Sequence, residues 1–243
     1  MAAFSSFQNI LPDPNNSIGH AGQSAGTAGP GYSSVVLKSQ QPTIRDFTNS
    51  GRLLARSIAS HKWTIDIKYN PMTKEQFDPI YTFLLQRQGA INPFFVSLPQ
   101  YRVPQSSNFA TYAASNNLEA DVTVTAGSTS ALIEKSGYNN NNGSNSKPLP
   151  GDLFTISGTN SNHKKAYMVT RVETDADYLS GTVAPNNSQV RIHFIPPMSK
   201  QVEAADDFIF HNPLIKVIAT DTQQYSLNTN NLYEYSLKLE EVQ

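Results

Sequence analysis

The chain's most restrictive feature is a two-residue alternation of apolar and polar side chains. Over residues 63–69, Trp63, Ile65, Ile67 and Tyr69 take one side while Thr64, Asp66 and Lys68 take the other. The pattern returns near the C-terminal end, where Tyr235, Leu237 and Leu239 alternate with Glu234, Ser236, Lys238 and Glu240. Successive side chains of a strand point to opposite faces, so these segments fold as strands with one face in a core and one in water. The alternation puts Trp63, the only tryptophan, in that core and not on a sugar-stacking surface.

Short apolar runs at residues 131–135, 153–156, 166–173, 190–195 and 208–210, set between turn-rich connections, predict the many short strands of a barrel or sandwich. Residues 94–98 read as a strand closed by Pro99, and residues 122–124 as the first strand of a second unit. Residues 53–58 are expected to form a hairpin with 63–69, connected through Ser60 and His61. Residues 214–220 and 233–242 alternate again and end the chain. The asparagine run 139–142 reads as a loop tip.

One helix is expected. Phe77, Ile80, Tyr81 and Leu84 fall at the spacing of a single helical face, and Gly89 sits where a helix stops. Two starts are possible: a capping box from Thr73 to Gln76, which leaves Pro79 inside the helix, or Asp78 as cap with Pro79 in the first position. The second is expected, because an interior proline deletes a hydrogen bond and clashes one turn back. Four buried apolar side chains then hold the helix on the sheet.

Residues 1–31 have no helix or strand period and end in a Gly/Ala/Ser/Pro stretch. With only Phe4, Phe7, Ile10, Leu11 and Ile18 to bury, this segment cannot recover its ordering entropy of ~1–2 kcal/mol per residue alone. It reads as an extended arm whose five apolar residues are candidate contacts to neighbouring subunits.

Composition removes several classes of chemistry. Without cysteine there is no disulfide framework, thiolate metal site or cysteine nucleophile. Lys and Arg number 18 against 19 Asp and Glu, only 15% of residues are charged, and no long basic run occurs. That argues against a dedicated nucleic-acid or anionic-membrane binder. Asn, Gln, Ser and Thr instead supply roughly a third of the chain. No apolar run approaches the ~20 residues of a membrane-spanning helix, and the N-terminal residues lack a signal-peptide pattern.

No catalytic, cofactor-binding or metal-binding residue is expected. Gly22-Gln23-Ser24-Ala25-Gly26 spells a nucleophile elbow but lacks the strand and helix that make one. His20, His61, His163, His193 and His211 share no ligand spacing. Asp175, Asp177, Asp206 and Asp207 read as turn residues, and Lys164-Lys165 as a solvated strand edge.

The order of these features resembles the phage distal tail protein family. The likeness is carried by the strand HKWTIDIKY, the helix within NPMTKEQFDPIYTFLLQRQG, the strand PFFVSLP, the pair PGDLFTI and KAYMVT, and the closing strand YSLKLEEV. It implies a mainly β protein: a ring-forming β-barrel or sandwich domain with one packed α-helix, plus an inserted β-barrel domain. The implied division is an arm at 1–31, a belt domain at 32–104 and 214–243, and an insertion at 105–213, with Trp63, Ile65, Ile67, Tyr69, Phe77, Ile80, Tyr81 and Leu84 as the belt core. It also implies a virion structural protein and no enzyme, found in the tail and, during assembly, in the host cytoplasm. The implied partners are copies of itself in a ring, commonly six, the tail tube protein, and hub, fibre or adsorption proteins. DNA passes through the channel without specific binding, and nothing inserts into a membrane. A carbohydrate- or receptor-binding β module, using Tyr138, Tyr167 and Tyr178, is the alternative.

Overall fold

The computed structural model describes residues 9–12, 31–57, 61–140, 146–158, 165–180, 182–220 and 224–242. The chain divides into two units, Met1–Val96 with Lys216–Val242, and Ser97–Ile215. Both are mainly β.

The first unit is built on the alternating segments. Strands β1 (Tyr32–Gln40), β2 (Thr43–Phe47), β3 (Leu53–Ser57) and β4 (Lys62–Tyr69) follow one another. β4 is antiparallel to β1, with Val35 opposite Ile67 and Leu37 opposite Ile65. Its other neighbour is the closing strand, where Leu237 faces Ile67 and Leu239 faces Ile65. These rows make one apolar face, and Trp63, Ile65, Ile67, Tyr69, Tyr235, Leu237 and Leu239 are all buried. The hairpin expected between residues 53–58 and 63–69 does not form. β3 pairs instead with β2, Thr43 opposite Ser57 and Phe47 opposite Leu53. The reason lies in Pro42, which has no N–H for the ladder and breaks β1 from β2. One long hairpin is thereby bent into a base, β1–β4, and a separate two-stranded ribbon, β2–β3.

Helix α1 (Lys74–Arg87) covers the apolar face. Its start corrects the expectation of an Asp78 cap: Thr73 is the N-cap and Pro79 lies inside the helix. The capping box decides this, since the Gln76 side chain accepts from the Thr73 N–H at 3.1 Å and satisfies a donor the helix would otherwise leave open. Phe77 stacks on Tyr233, centroids 4.6 Å apart, and Phe77, Ile80 and Leu84 are buried while Tyr81 is half-buried. The helix ends at Gln88, whose φ of 55° begins a left-handed turn that Gly89 continues at 66°. After β5 (Phe94–Ser97) the chain enters the second unit; the sheet of the first unit runs β1-β4, then the closing strand, then residues 214–219, then β5.

The second unit contains a helix not foreseen from the sequence, α2 (Ser107–Ala113), with Ser106 as its cap. It is followed by β6 (Leu118–Ala120), β7 (Ser130–Glu134), β8 (Leu153–Ser157), β9 (Ala166–Glu173), β10 (Gln189–Ile195) and β11 (Asp207–Ile209). These six close into a barrel in the order β10-β7-β6-β11-β8-β9. Residues 122–124 are not a strand; Val124 makes a single bridge to Val202. Phe154 occupies the barrel centre within 5.5 Å, centroid to centroid, of Tyr167, Phe194, Phe208 and Phe210. The chain then returns through β12 (Leu214–Ala219) and β13 (Tyr225–Leu227) to β14 (Tyr233–Glu241), the closing strand.

Candidate assembly surfaces

The ribbon β2–β3 is the least covered part of the first unit, every described side chain in both strands being exposed. Its register puts Phe47 beside Leu53 on one face, and Ile44 diagonal to Leu54 on the other. Phe47 is 68% exposed and Leu53 51%. A lone two-stranded ribbon is marginal in water, yet this one carries a built turn. The Thr48 N–H donates to the Arg52 carbonyl at 3.0 Å and the Gly51 N–H to the Thr48 carbonyl at 2.8 Å. Gly51 sits at φ 79°, which a β-carbon would oppose. Arg45, Arg52 and Arg56 decorate the ribbon and form no ion pair among the described residues. Exposed apolar groups and cations that pair with no acid among the described residues give this shaped ribbon the features of a candidate contact surface.

β1 is a second open feature, since it ends the sheet and, among the described residues, its outer edge has no strand beside it. Behind it the wet face of the sheet carries charges in pairs, Lys38 with Asp66 and Lys62 with Glu240.

Of the five expected arm contacts, Phe4, Phe7 and Ile18 lie outside the described residues. The other two pack within the single chain: Ile10 bridges Phe95 in parallel, and Leu11 is 1% exposed. The Leu11 N–H donates to the Phe95 carbonyl at 2.8 Å and the Phe95 N–H to the Asn9 carbonyl at 2.6 Å. Arg87, in the last turn of α1, donates through Nη1 to Asn9 Oδ1 at 2.6 Å and lies over the Phe83 ring at 4.6 Å. Burial lowers the Arg87 pKa from its ordinary value. Sequence reasoning missed Arg87; its place on the buried side of α1, seven residues after Ile80 and four after Phe83, was the available signal.

In the second unit the charged groups are mostly structural. The Glu173 carboxylate, 1% exposed, accepts from Arg191 Nη1 at 3.0 Å and pairs with His193 Nε2 at 2.9 Å, with Arg171 Nε at 3.6 Å. Burial pushes its pKa up, but the hydrogen bonds from His193 and Arg191, with their charges, outweigh this and hold it below the usual carboxylate range. Arg191 also donates through Nη2 to the Val183 carbonyl at 2.9 Å, tying down the connection between β9 and β10.

Lys165 is buried, which corrects the solvated-edge reading; Lys164 lies outside the described residues. So do Ser24, His20 and His163. Asn140 is buried too and donates to the Gln189 carbonyl at 2.8 Å, a structural tie at that position, while Asn141 and Asn142 of the run lie outside the described residues. The Asp177 carbonyl accepts from the Thr174 N–H, and Asp206 Oδ2 from the Glu203 N–H, both turn contacts. Of the three tyrosines proposed for sugar stacking, Tyr138 and Tyr167 are buried and only Tyr178 is exposed. Among the described residues no group of three or more His, Asp and Glu is placed to hold a metal ion, and no helix is long and apolar enough to cross a membrane.

Residues 11–101 match the family described as "Distal tail protein pb9, A domain, N-terminal". Over 232 residues, 95% of this chain and 98% of the relative, the sequence is 25% identical to the distal tail protein pb9 of Escherichia phage T5.

Proposed function

We infer the role of this chain from the family to which it belongs, the phage distal tail proteins: it is a structural protein of the distal end of a phage tail. There it works as a ring of identical copies, six on the family precedent, that joins the tail tube to the hub and adsorption proteins. The first unit is the ring-forming belt and the second an insertion carried by it. The exposed ribbon β2–β3 carries this reading, because a ring needs a patch that meets a different patch on the next subunit. A mainly neutral surface suits repeated burial, since few charges must be desolvated on assembly. The same lack of a basic run lets DNA pass without being gripped.

Electron microscopy and native mass spectrometry of the purified chain, alone and with its tail partners, test the proposal. Closed rings that enter tails are expected. A persistent monomer that never joins a tail overturns the reading.

A further inference from the structure

Residues 9–12 form a strap on the edge of β5, and its described hydrogen bonding is small. It includes the two backbone hydrogen bonds to Phe95 and the bond from Arg87 to Asn9, with the Leu11 side chain buried and Pro12 buried beside it. The cradle that receives it, made of β5, Phe83 and Arg87, is contributed by residues 83–97. Arg87 is nine-tenths buried and, among the described residues, meets no carboxylate and has no acceptor for its Nε. A buried guanidinium without a counter-charge is costly. Here it serves as the polar clamp of a docking site.

We propose that the cradle is an exchange site: in the assembled ring it holds residues 9–12 of a neighbouring copy, each subunit giving its strap to one neighbour and receiving the strap of the other. This rests on the ring reading above. Three features support it. The hydrogen bonds described for the strap all run to Phe95 and Arg87 of the cradle, so the same segment from a second copy reproduces them. The strap reaches Gly31 through residues 13–30, which at full extension span up to roughly 60 Å, so connectivity leaves open whose strap fills the cradle. Strap and cradle are also unlike patches on one chain, the relation that closes a ring by heterologous contacts, and swapping an identical segment is a low-cost way to join protomers.

The absence of native cysteine makes the test unambiguous. Ile10 and Phe95 are bridge partners, so Ile10→Cys with Phe95→Cys will form a disulfide across the strap. After mild oxidation of assembled rings, exchange gives a ladder of covalent multimers on a non-reducing gel, whereas dilute monomer gives only the internal link. Rings mixed from the two single variants give linked dimers, which no internal contact can produce. Internal links alone in intact rings overturn exchange and leave the ring reading standing; wild-type chain that forms no ring overturns both. Should the double variant fail to fold, Leu11→Ala decides. Exchange requires ring dissociation at an at least tenfold higher concentration, and an unchanged dissociation concentration refutes it.

Discussion

Replacing Phe47 and Leu53 together by serine tests whether the ribbon is an interface. Full burial of such side chains is worth about 1.5–3 kcal/mol each. With 68% of Phe47 and 51% of Leu53 still open to water, the burial left for a partner to complete is worth about 2–3.5 kcal/mol. At about 1.4 kcal/mol per tenfold, that is a roughly 30- to 300-fold weaker association per contact. The isolated chain should barely notice, because both residues lie at the end of a ribbon that supports no core and substitutions at such positions usually stay within about 0.5 kcal/mol. The measurement pairs sedimentation or native mass spectrometry, for assembly, with chemical denaturation of the monomer. Unchanged assembly would show that the ribbon's apolar face meets nothing. A monomer destabilised by several kcal/mol would show that the ribbon is held by its own chain and is miscast as a docking element.

Two further outcomes concern the units themselves. Trp63→Ala should cost the first unit about 3–5 kcal/mol in chemical denaturation, since Trp63 is buried edge-on to His61 at 4.5 Å between centroids; a shift near zero would mean that the faces of β4 are reversed. Glu173→Gln should destabilise the barrel by about 3–5 kcal/mol near neutral pH, because it leaves Arg191 and His193 facing a neutral group. The Glu173 carboxyl is held below its ordinary value of 4.5, so its contribution is complete above that value and is lost as pH falls through the lower folded one. The gap between the native chain and the variant, followed by urea denaturation at several pH values, should therefore narrow on acidification, and a gap of constant size would refute the ion cluster as its source.

How far this was legible in the sequence depends on the length of the repeating signal. β4 and β14 could be read because each keeps a two-residue period long enough to fix its faces. β6 and β13 have only three residues each and carry no period. α2 escaped because Ser, Asn, Thr and Tyr fill most of its seven positions and only Phe109, Ala110 and Ala113 are buried. The helix start was misjudged by weighing the proline penalty above a capping box, and the structure favours the box. The assembly surfaces were harder still. Composition identified Leu11 as a residue needing burial and pointed to a neighbouring subunit, while the surface that receives it in the single chain is β5, more than eighty residues away. In the ribbon, alternation gives Phe47 and Leu53 a common face, but no local pattern tells whether the chain itself will cover it.

The two units handle their backbone edges in opposite ways, which bears on where the proposed ring would join. In the second unit six strands close on one another, and closure leaves no free row of N–H and C=O groups to recruit another strand. Among the described residues, the first unit leaves β1 open along nine residues, carries its ribbon with both edges bare, and covers β5 only with the short strap at residues 9–12. Soluble monomers usually blunt such edges with charge, proline or a bulge. β1 has a register shift between Tyr32 and Ser34, and Pro42 follows it, but the stretch between presents Val35, Val36 and Leu37. An edge left this open along its middle is a liability in a solitary protein and an asset in one that repeats around an axis. On the proposed ring, the barrel is free to vary in sequence and loop content without disturbing assembly, while changes to the ribbon, the β1 edge or the β5 cradle act first on the contacts between copies.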